Sequence, residues 1–180
     1  MRFFILSDIH GSAFAFAKAM DAFAFEKADS LVLCGDYLNH GPRNPIPEGY
    51  DPQKLATMIN LMKTKIIAVR GNCDSEVDQM LLEFPCMGDY CVFFSGKRRF
   101  FVTHGHLFGD KNFPPLQDGD VYISGHTHVP VLEERSGIIY LNPGSPSIPK
   151  GGSVPGYAII DNDGIQLKRI DGTVIRQIVL

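Results

Sequence analysis

Residues 1–36 read MRFFILSDIHGSAFAFAKAMDAFAFEKADSLVLCGD. The apolar run Phe3-Phe4-Ile5-Leu6 starts almost at the first residue and breaks at Ser7-Asp8, which predicts a buried strand over Arg2–Ser7. Ser12 offers a hydroxyl to cap a helix over Ala13–Ala28, whose alanines and phenylalanines make it broadly apolar and well buried. Leu31-Val32-Leu33-Cys34 reads as a second strand that stops at Gly35-Asp36. Strand, helix and strand in this order predict a βαβ unit with parallel strands, and so an α/β class.

The alternation continues outward from this unit. Prolines 42, 45 and 47 make Tyr37–Asp51 a loop, because proline removes a donor and fixes φ. Pro52 suits the first turn of a helix over Gln53–Lys63, with Leu55, Met58, Ile59 and Met62 on one face. A strand over Lys65–Val69 ends at Arg70-Gly71-Asn72, and a helix over Ser75–Leu82 follows. The second half changes character. Cys91–Ser95 and Arg99–Thr103 flank Gly96-Lys97 as a hairpin, and Val121–Ser124, Val131–Glu134 and Ile138–Leu141 are short strands. Asp163-Gly164 and Asp171-Gly172 between alternating apolar runs are hairpin turns. The C-terminal third therefore reads as antiparallel β. One domain over residues 1–180, with two sheets and helices outside them, is the expected organisation.

Composition narrows the function classes. The chain has 180 residues, 44% hydrophobic and 21% charged, which excludes disordered and collagen-like classes. With 17 basic and 20 acidic residues the net charge is -3, so neither bulk attraction to nucleic acid nor polybasic membrane binding is expected. No apolar run approaches the roughly 20 residues that span a bilayer. The four cysteines, at 34, 73, 86 and 91, form no C-x-x-C pair and fit a reducing compartment. A cytoplasmic protein is expected.

Six histidines lie at positions 10, 40, 104, 106, 126 and 128. Random placement would give about 0.2 H-x-H pairs, yet the chain has His104-x-His106 and His126-x-His128, a hint of metal binding. Asp8-x-His10 repeats the same spacing, and in extended backbone alternate side chains point the same way. All three pairs, with Asp36 and Asn72, fall just past predicted strand ends, where open α/β sheets gather their ligand sites. Each piece alone has an ordinary reading as turn or loop polarity. Their coincidence points to a metal centre.

Taken in order, Asp8-x-His10, Gly35-Asp36, Gly71-Asn72-Cys73-Asp74, His104-Gly105 and Gly125-His126-x-His128 resemble the motifs of the calcineurin-like metallophosphoesterases, and in particular their small phosphodiesterases. The resemblance implies a four-layer sandwich of two mixed β-sheets flanked by helices, holding two divalent metal ions. It places one ion on Asp8, His10 and His128 and the other on Asn72, His104 and His126, with Asp36 bridging. It favours manganese, and the nitrogen and oxygen donors also suit zinc or iron. The implied activity is phosphodiester hydrolysis by a hydroxide that the metal pair activates.

One departure matters. Many members of the family carry histidine after Gly-Asn to protonate the leaving group, and here that place is Cys73. A thiol with a reference pKa of about 8.5 is a poorer acid for neutral pH, so Cys73 either donates weakly or simply packs, with His106 as another candidate donor. Arg43, in the loop after Asp36, could fork onto a phosphate oxygen or remain a solvated arginine. His40 and the run Lys97-Arg98-Arg99 read more simply as loop and turn residues. Two rivals stand beside the diesterase: a protein-interaction module on the same fold, and a phosphomonoesterase. The expected partner is a small phosphodiester, with no stable nucleic-acid complex, no membrane, and self-association into a homo-oligomer.

Overall fold

The computed structural model describes residues 1–109 and 112–180. The first unit is β1 (Phe3–Leu6), α1 (Ala13–Phe25) and β2 (Ser30–Leu33), with β1 and β2 parallel. Ser12 caps α1 by accepting from the Ala15 N–H at 3.0 Å. The helix stops at Phe25, short of the expected Ala28. Lys27 takes φ +52°, and the Lys27 and Ala28 N–H groups turn back to the carbonyls of Ala24 and Phe23. This is a Schellman ending, with lysine where glycine is usual.

Next come α2 (Pro52–Asn60), capped by Asp51, then β3 (Ile66–Ala68) and α3 (Glu76–Leu81) behind a Ser75/Asp78 capping box. The chain between α2 and β3 tightens into a 3-10 turn at Lys63–Lys65, so α2 ends three residues before the expected Lys63. The remaining strands are β4 (Tyr90–Ser95), β5 (Arg98–Thr103), β6 (Val121–Ile123), β7 (Val131–Arg135), β8 (Ile138–Asn142), β9 (Gly156–Ile160), β10 (Ile165–Arg169) and β11 (Val174–Ile178).

Two mixed sheets result, ordered β11-β10-β9-β1-β2-β3 and β4-β5-β6-β8-β7. The expected hairpins β4–β5, β9–β10 and β10–β11 are present and antiparallel. The expectation of a purely antiparallel C-terminal third is corrected, because β6 runs parallel to both β5 and β8. The β7–β8 hairpin folds outward, so β8 returns beside β6 pointing the same way.

The continuous apolar run of β1 is explained by burial on both faces. Phe4 and Leu6 join Phe16, Leu33, Leu55 and Tyr157 under the helices, while Phe3 and Ile5 join Phe100, Val102, Ile123 and Leu141 between the sheets. On the outer face of the second sheet, Phe101, Tyr122 and Tyr140 pack against Phe108 and Phe113 of the loop after β5. Helices therefore cover the first sheet, and an aromatic loop covers the second among the described residues. Both sheets direct the carboxyl ends of their parallel strands to one rim. Among the described residues no helix is long and apolar enough to cross a membrane.

Candidate metal centre

The rim collects the residues singled out in the sequence. Asp8 follows β1, Asp36 follows β2, Asn72 follows β3, His104 follows β5, and His126 and His128 follow β6. Four of these residues, and His10 two places after Asp8, adopt left-handed backbone: Asp8 (φ 57°), His10 (51°), Asp36 (55°), His126 (67°) and His128 (59°). Non-glycine residues there cost on the order of 1–3 kcal/mol each, and such strain concentrates at functional sites. No sequence pattern announces it.

Three histidines share one device. His10 Nδ1 donates to Asn39 O at 2.8 Å, His104 Nδ1 to Cys34 O at 2.7 Å, and His128 Nδ1 to Ile148 O at 2.7 Å. Each bond fixes the ring and leaves the Nε2 lone pair free for a metal. These lone pairs converge. His10 Nε2 lies 3.1 Å from His128 Nε2, and His104 Nε2 lies 3.1 Å from Asn72 Oδ1. Acceptors facing acceptors at this distance repel unless a proton or a cation lies between them.

The carboxylates complete the arrangement. Asp8 Oδ2 accepts from Ser7 Oγ at 2.7 Å and from the His126 N–H at 3.0 Å. Its Oδ1 is buried with no hydrogen-bond partner, 3.3 Å from His128 Nε2 and 3.7 Å from His10 Nε2. Asp36 Oδ1 accepts from the Cys73 N–H at 2.8 Å, which turns Oδ2 to within 3.6 Å of His10 Nε2 and 3.4 Å of His104 Nε2. Candidate ligand atoms fall within 4.8 Å of one another in three groups: Asp8, His10 and His128; Asp8, Asp36 and His104; and His10, Asp36 and Cys73. His10 and Asp36 belong to two groups each, as does Asp8.

Electrostatics shows what the cluster lacks. Burial opposes charge on Asp36, but His104 and His10 hold its carboxyl well below the usual range. Burial opposes charge on His104 as well, and Asp36 and Asp8 push its imidazole up to about 9. His10 is raised against its burial by Asp8. The carboxylates thus draw protons onto adjacent rings, as an anionic cluster does when it has no other counter-cation. Orphan oxygen, facing acceptors and a nitrogen–oxygen donor set together fit divalent ions of the manganese, iron or zinc type.

The remaining candidates lie around this cluster. The His126 ring stands 5.1 Å from that of His104, outside the three close groups. The His106 ring is 5.3 Å from His104, with its buried Nδ1 unpartnered. Burial, then His104 and His126, lower its pKa. Burial and Asp36 push the Cys73 thiol up to about 12. Arg43 lines an open cleft of about 370 Å3 above Asp36, Asn72 and His126. His40 lies away from the cluster, its Nδ1 3.4 Å from the Tyr50 hydroxyl. At the β4–β5 turn, Arg98 donates to Gly119 O and Arg99 pairs with Asp120, so these two charges brace the loop before β6.

Several supports escape a reading of the sequence. Asp74 accepts from the N–H groups of Asp36, Tyr37 and Gly71 at 2.7–2.8 Å, tying the loops after β2 and β3 together. Burial and the Asp36 charge push its carboxyl up to about 7 against those three donors. Asn142 Nδ2 donates to Gly125 O at 2.7 Å and to Thr127 Oγ1 at 3.1 Å, fixing the loop that carries His126 and His128. Ser145 and Ser147 both donate to Asp8 O. The one available signal for Asp74 was its place in Gly71-Asn72-Cys73-Asp74. Asn142, in Asn-Pro-Gly-Ser, looks like any turn.

Comparison with known proteins agrees with this geometry. Residues 1–164 match the calcineurin-like phosphoesterase superfamily domain. The chain is 50% identical to phosphodiesterase YfcE of Escherichia coli K12 over 181 residues, covering 100% of this chain and 98% of that protein. It is 29% identical over 183 residues to the probable metallophosphoesterase YsnB of Bacillus subtilis, covering 95% of this chain and 91% of that one. The solved structure of YfcE, a phosphoesterase from E. coli, superposes with a TM-score of 0.96 at 49% identity, over 99% of both chains. Fold, rim and matched sequence agree, and the chain belongs to the calcineurin-like phosphoesterase superfamily.

Proposed function

We propose that this chain is a metal-dependent phosphodiesterase that works with two divalent ions. Asp8, His10 and His128 hold one, Asn72, His104 and His126 hold the other, and Asp36 bridges them. The observation that carries the reading is the 3.1 Å approach of His10 Nε2 and His128 Nε2 around the orphan Asp8 Oδ1. Manganese is the proposed metal, since the seven proposed ligands are nitrogen and oxygen donors with no thiolate among them. When bound, the ions polarise the phosphoryl oxygens and lower the pKa of the attacking water.

The chain's own residues set position and proton supply. Asn72 is a neutral donor and leaves the positive charge intact for the phosphoryl group. Arg43, on the cleft wall, receives a non-bridging oxygen or an ester arm. Neither Cys73 nor His106 supplies a strong acid. The thiol keeps its proton, and the His106 ring is lowered toward neutrality. Esters whose leaving oxygen needs no proton are therefore the favoured substrates. The same reading takes a small phosphodiester, requires no nucleic-acid or membrane partner, and puts the protein in the cytoplasm, where its four free cysteines stay reduced. Self-association belongs to it too, with support from edge strand β4, which exposes Tyr90, Val92 and Phe94.

The test is hydrolysis of bis(p-nitrophenyl) phosphate and p-nitrophenyl phosphate with manganese, then with excess chelator. Diester turnover that the chelator abolishes, with the monoester largely intact, is expected. No turnover of either ester would favour the interaction-module alternative, and preferred turnover of the monoester would make the chain a phosphomonoesterase.

A further inference from the structure

Among the described residues, the walls of the cleft above the metal centre carry two cations, Arg43 and Lys150, and no carboxylate other than Asp36. No phenylalanine, tyrosine or tryptophan among the described residues lines it, and its two aromatic rings are the imidazoles of His126 and His128, which the proposed metal centre uses. The two cations come from different parts of the chain, and Lys150 bonds to Asn44, the residue after Arg43. Lys150 Nζ donates to Asn44 Oδ1 at 2.9 Å, and Asn44 Nδ2 donates to His40 O at 2.9 Å. The Lys150 backbone is pinned as well. Its N–H donates to His128 O at 3.1 Å, and its carbonyl accepts from Ser153 Oγ at 2.6 Å. An exposed lysine would ordinarily wave freely, whereas this one is held over the site from both ends.

The charge count exceeds what a simple diester needs. Two divalent ions would outweigh Asp8 and Asp36 by two charges, and Arg43 with Lys150 raises the surplus to four, or three once the attacking hydroxide is counted. A phosphodiester brings one negative charge. A phosphate monoester on one of its arms would add about 1.5 to 2 more at neutral pH, with three acceptor oxygens for a guanidinium and an ammonium to share.

We infer that Arg43 and Lys150 form a second anion subsite, and that the enzyme is selective for phosphodiesters bearing a further phosphate on one ester arm. The inference rests on the phosphodiesterase reading above and adds the substrate class to it. Arg43 takes the added phosphate through its fork, and Lys150, braced by Asn44, takes it as a point charge.

Two chromogenic diesters test it: ethyl p-nitrophenyl phosphate, and the same compound with a phosphate on the ethyl arm. The manganese-loaded wild type should prefer the second by at least tenfold in kcat/KM, mostly through KM. Lys150→Met and Arg43→Met should each cut that preference at least threefold, and Lys150→Arg should restore most of it. A binding readout independent of turnover is calorimetry with ethyl phosphate and 1,2-ethanediol bisphosphate, where the bisphosphate should bind at least tenfold tighter and Lys150→Met should narrow the gap. Equal kcat/KM for the two diesters in the wild type overturns the subsite and leaves the phosphodiesterase reading standing. A preference that survives both methionine variants also overturns it. Turnover of neither diester removes both readings together.

Discussion

His10 and His128 face each other through their Nε2 atoms at 3.1 Å, and each has already given its Nδ1 proton to a backbone carbonyl. Two nitrogens so placed share a proton or a cation, and a divalent ion can engage both lone pairs at once. Metal should therefore stabilise the fold, by about 2.7 kcal/mol per site at a hundredfold excess over Kd. His128→Leu removes one lone pair and one ligand. Thermal unfolding should show a manganese-dependent rise in Tm for the wild type and a distinctly smaller one for this variant. An equal rise in both would remove His128 from the metal centre.

Gly125 lies against Asp8 with no room for a side chain. A Cβ there would stand 2.6 Å from Asp8 Oδ2 and 1.9 Å from Ser7 Oγ. Gly71 crowds Asp36 in the same way, with a Cβ 2.1 Å from its Oδ1. The glycines before Asn72 and His126 thus let each loop close over one carboxylate. Gly125→Ala should displace Asp8 and weaken metal binding at least tenfold, within the ~10–100-fold range for disturbed support of metal ligands. Calorimetric manganese titration checks this, and undiminished affinity would mean that Asp8 does not need its present position.

How much of this was legible in the sequence varies by element. The β1–α1–β2 unit is written locally, in an apolar run, a capping serine and a second apolar run, and the Asp-Gly turns mark the last hairpins. The parallel pairing of β5, β6 and β8 is not local. Strands of three to six residues do not encode their neighbour, and the outward β7–β8 hairpin decides it. The metal-binding histidines and Asp8 could be found because they fall in pairs at i, i+2 spacing after strand ends, and Asp36 and Asn72 because they close strands within motifs that resemble the family's. Asp74, Asn142 and Lys150 could not, because each acts by a hydrogen bond to a loop far away in sequence. The left-handed backbone at Asp8, His10, Asp36, His126 and His128 is likewise a product of tertiary closure.

Cys73 stands where a stronger acid would speed departure of a basic leaving group. Burial and Asp36 push its thiol up to about 12, far from the pH at which it would trade protons readily. Cys73→His should raise turnover of alkyl-leaving diesters by about 100-fold, the lower end of what a positioned acid contributes. It should change p-nitrophenyl leaving groups little. Parallel rates for the two leaving groups would locate proton donation elsewhere.

Far from the rim, Glu26 is buried at the end of α1 and bonded to Tyr157 at 2.8 Å, to Arg2 at 2.7 Å and to Lys168. Burial alone would raise its pKa, but Lys168, Tyr157 and Arg2 outweigh this and hold the carboxyl low. A depressed folded pKa contributes stability above the unfolded value of about 4.3, lost as pH falls through the folded one. Lys168→Met leaves the carboxylate short of a partner and should cost about 3 kcal/mol at pH 7, the lower end for a broken buried pair because Arg2 remains. Denaturant unfolding at pH 7 and pH 3 should show that gap shrinking in acid. A gap independent of pH would mean that the loss is packing alone.

The central claim is that Asp36 joins two ions that together drive phosphodiester hydrolysis. Its most direct test is manganese titration into metal-free wild type and Asp36→Asn, counting bound ions and following bis(p-nitrophenyl) phosphate turnover in the same samples. The account predicts two ions per wild-type chain, turnover that appears as the second binds, and a variant that loses ions and turnover together. Full turnover with one ion bound, or an Asp36→Asn enzyme as active as the wild type, would contradict it.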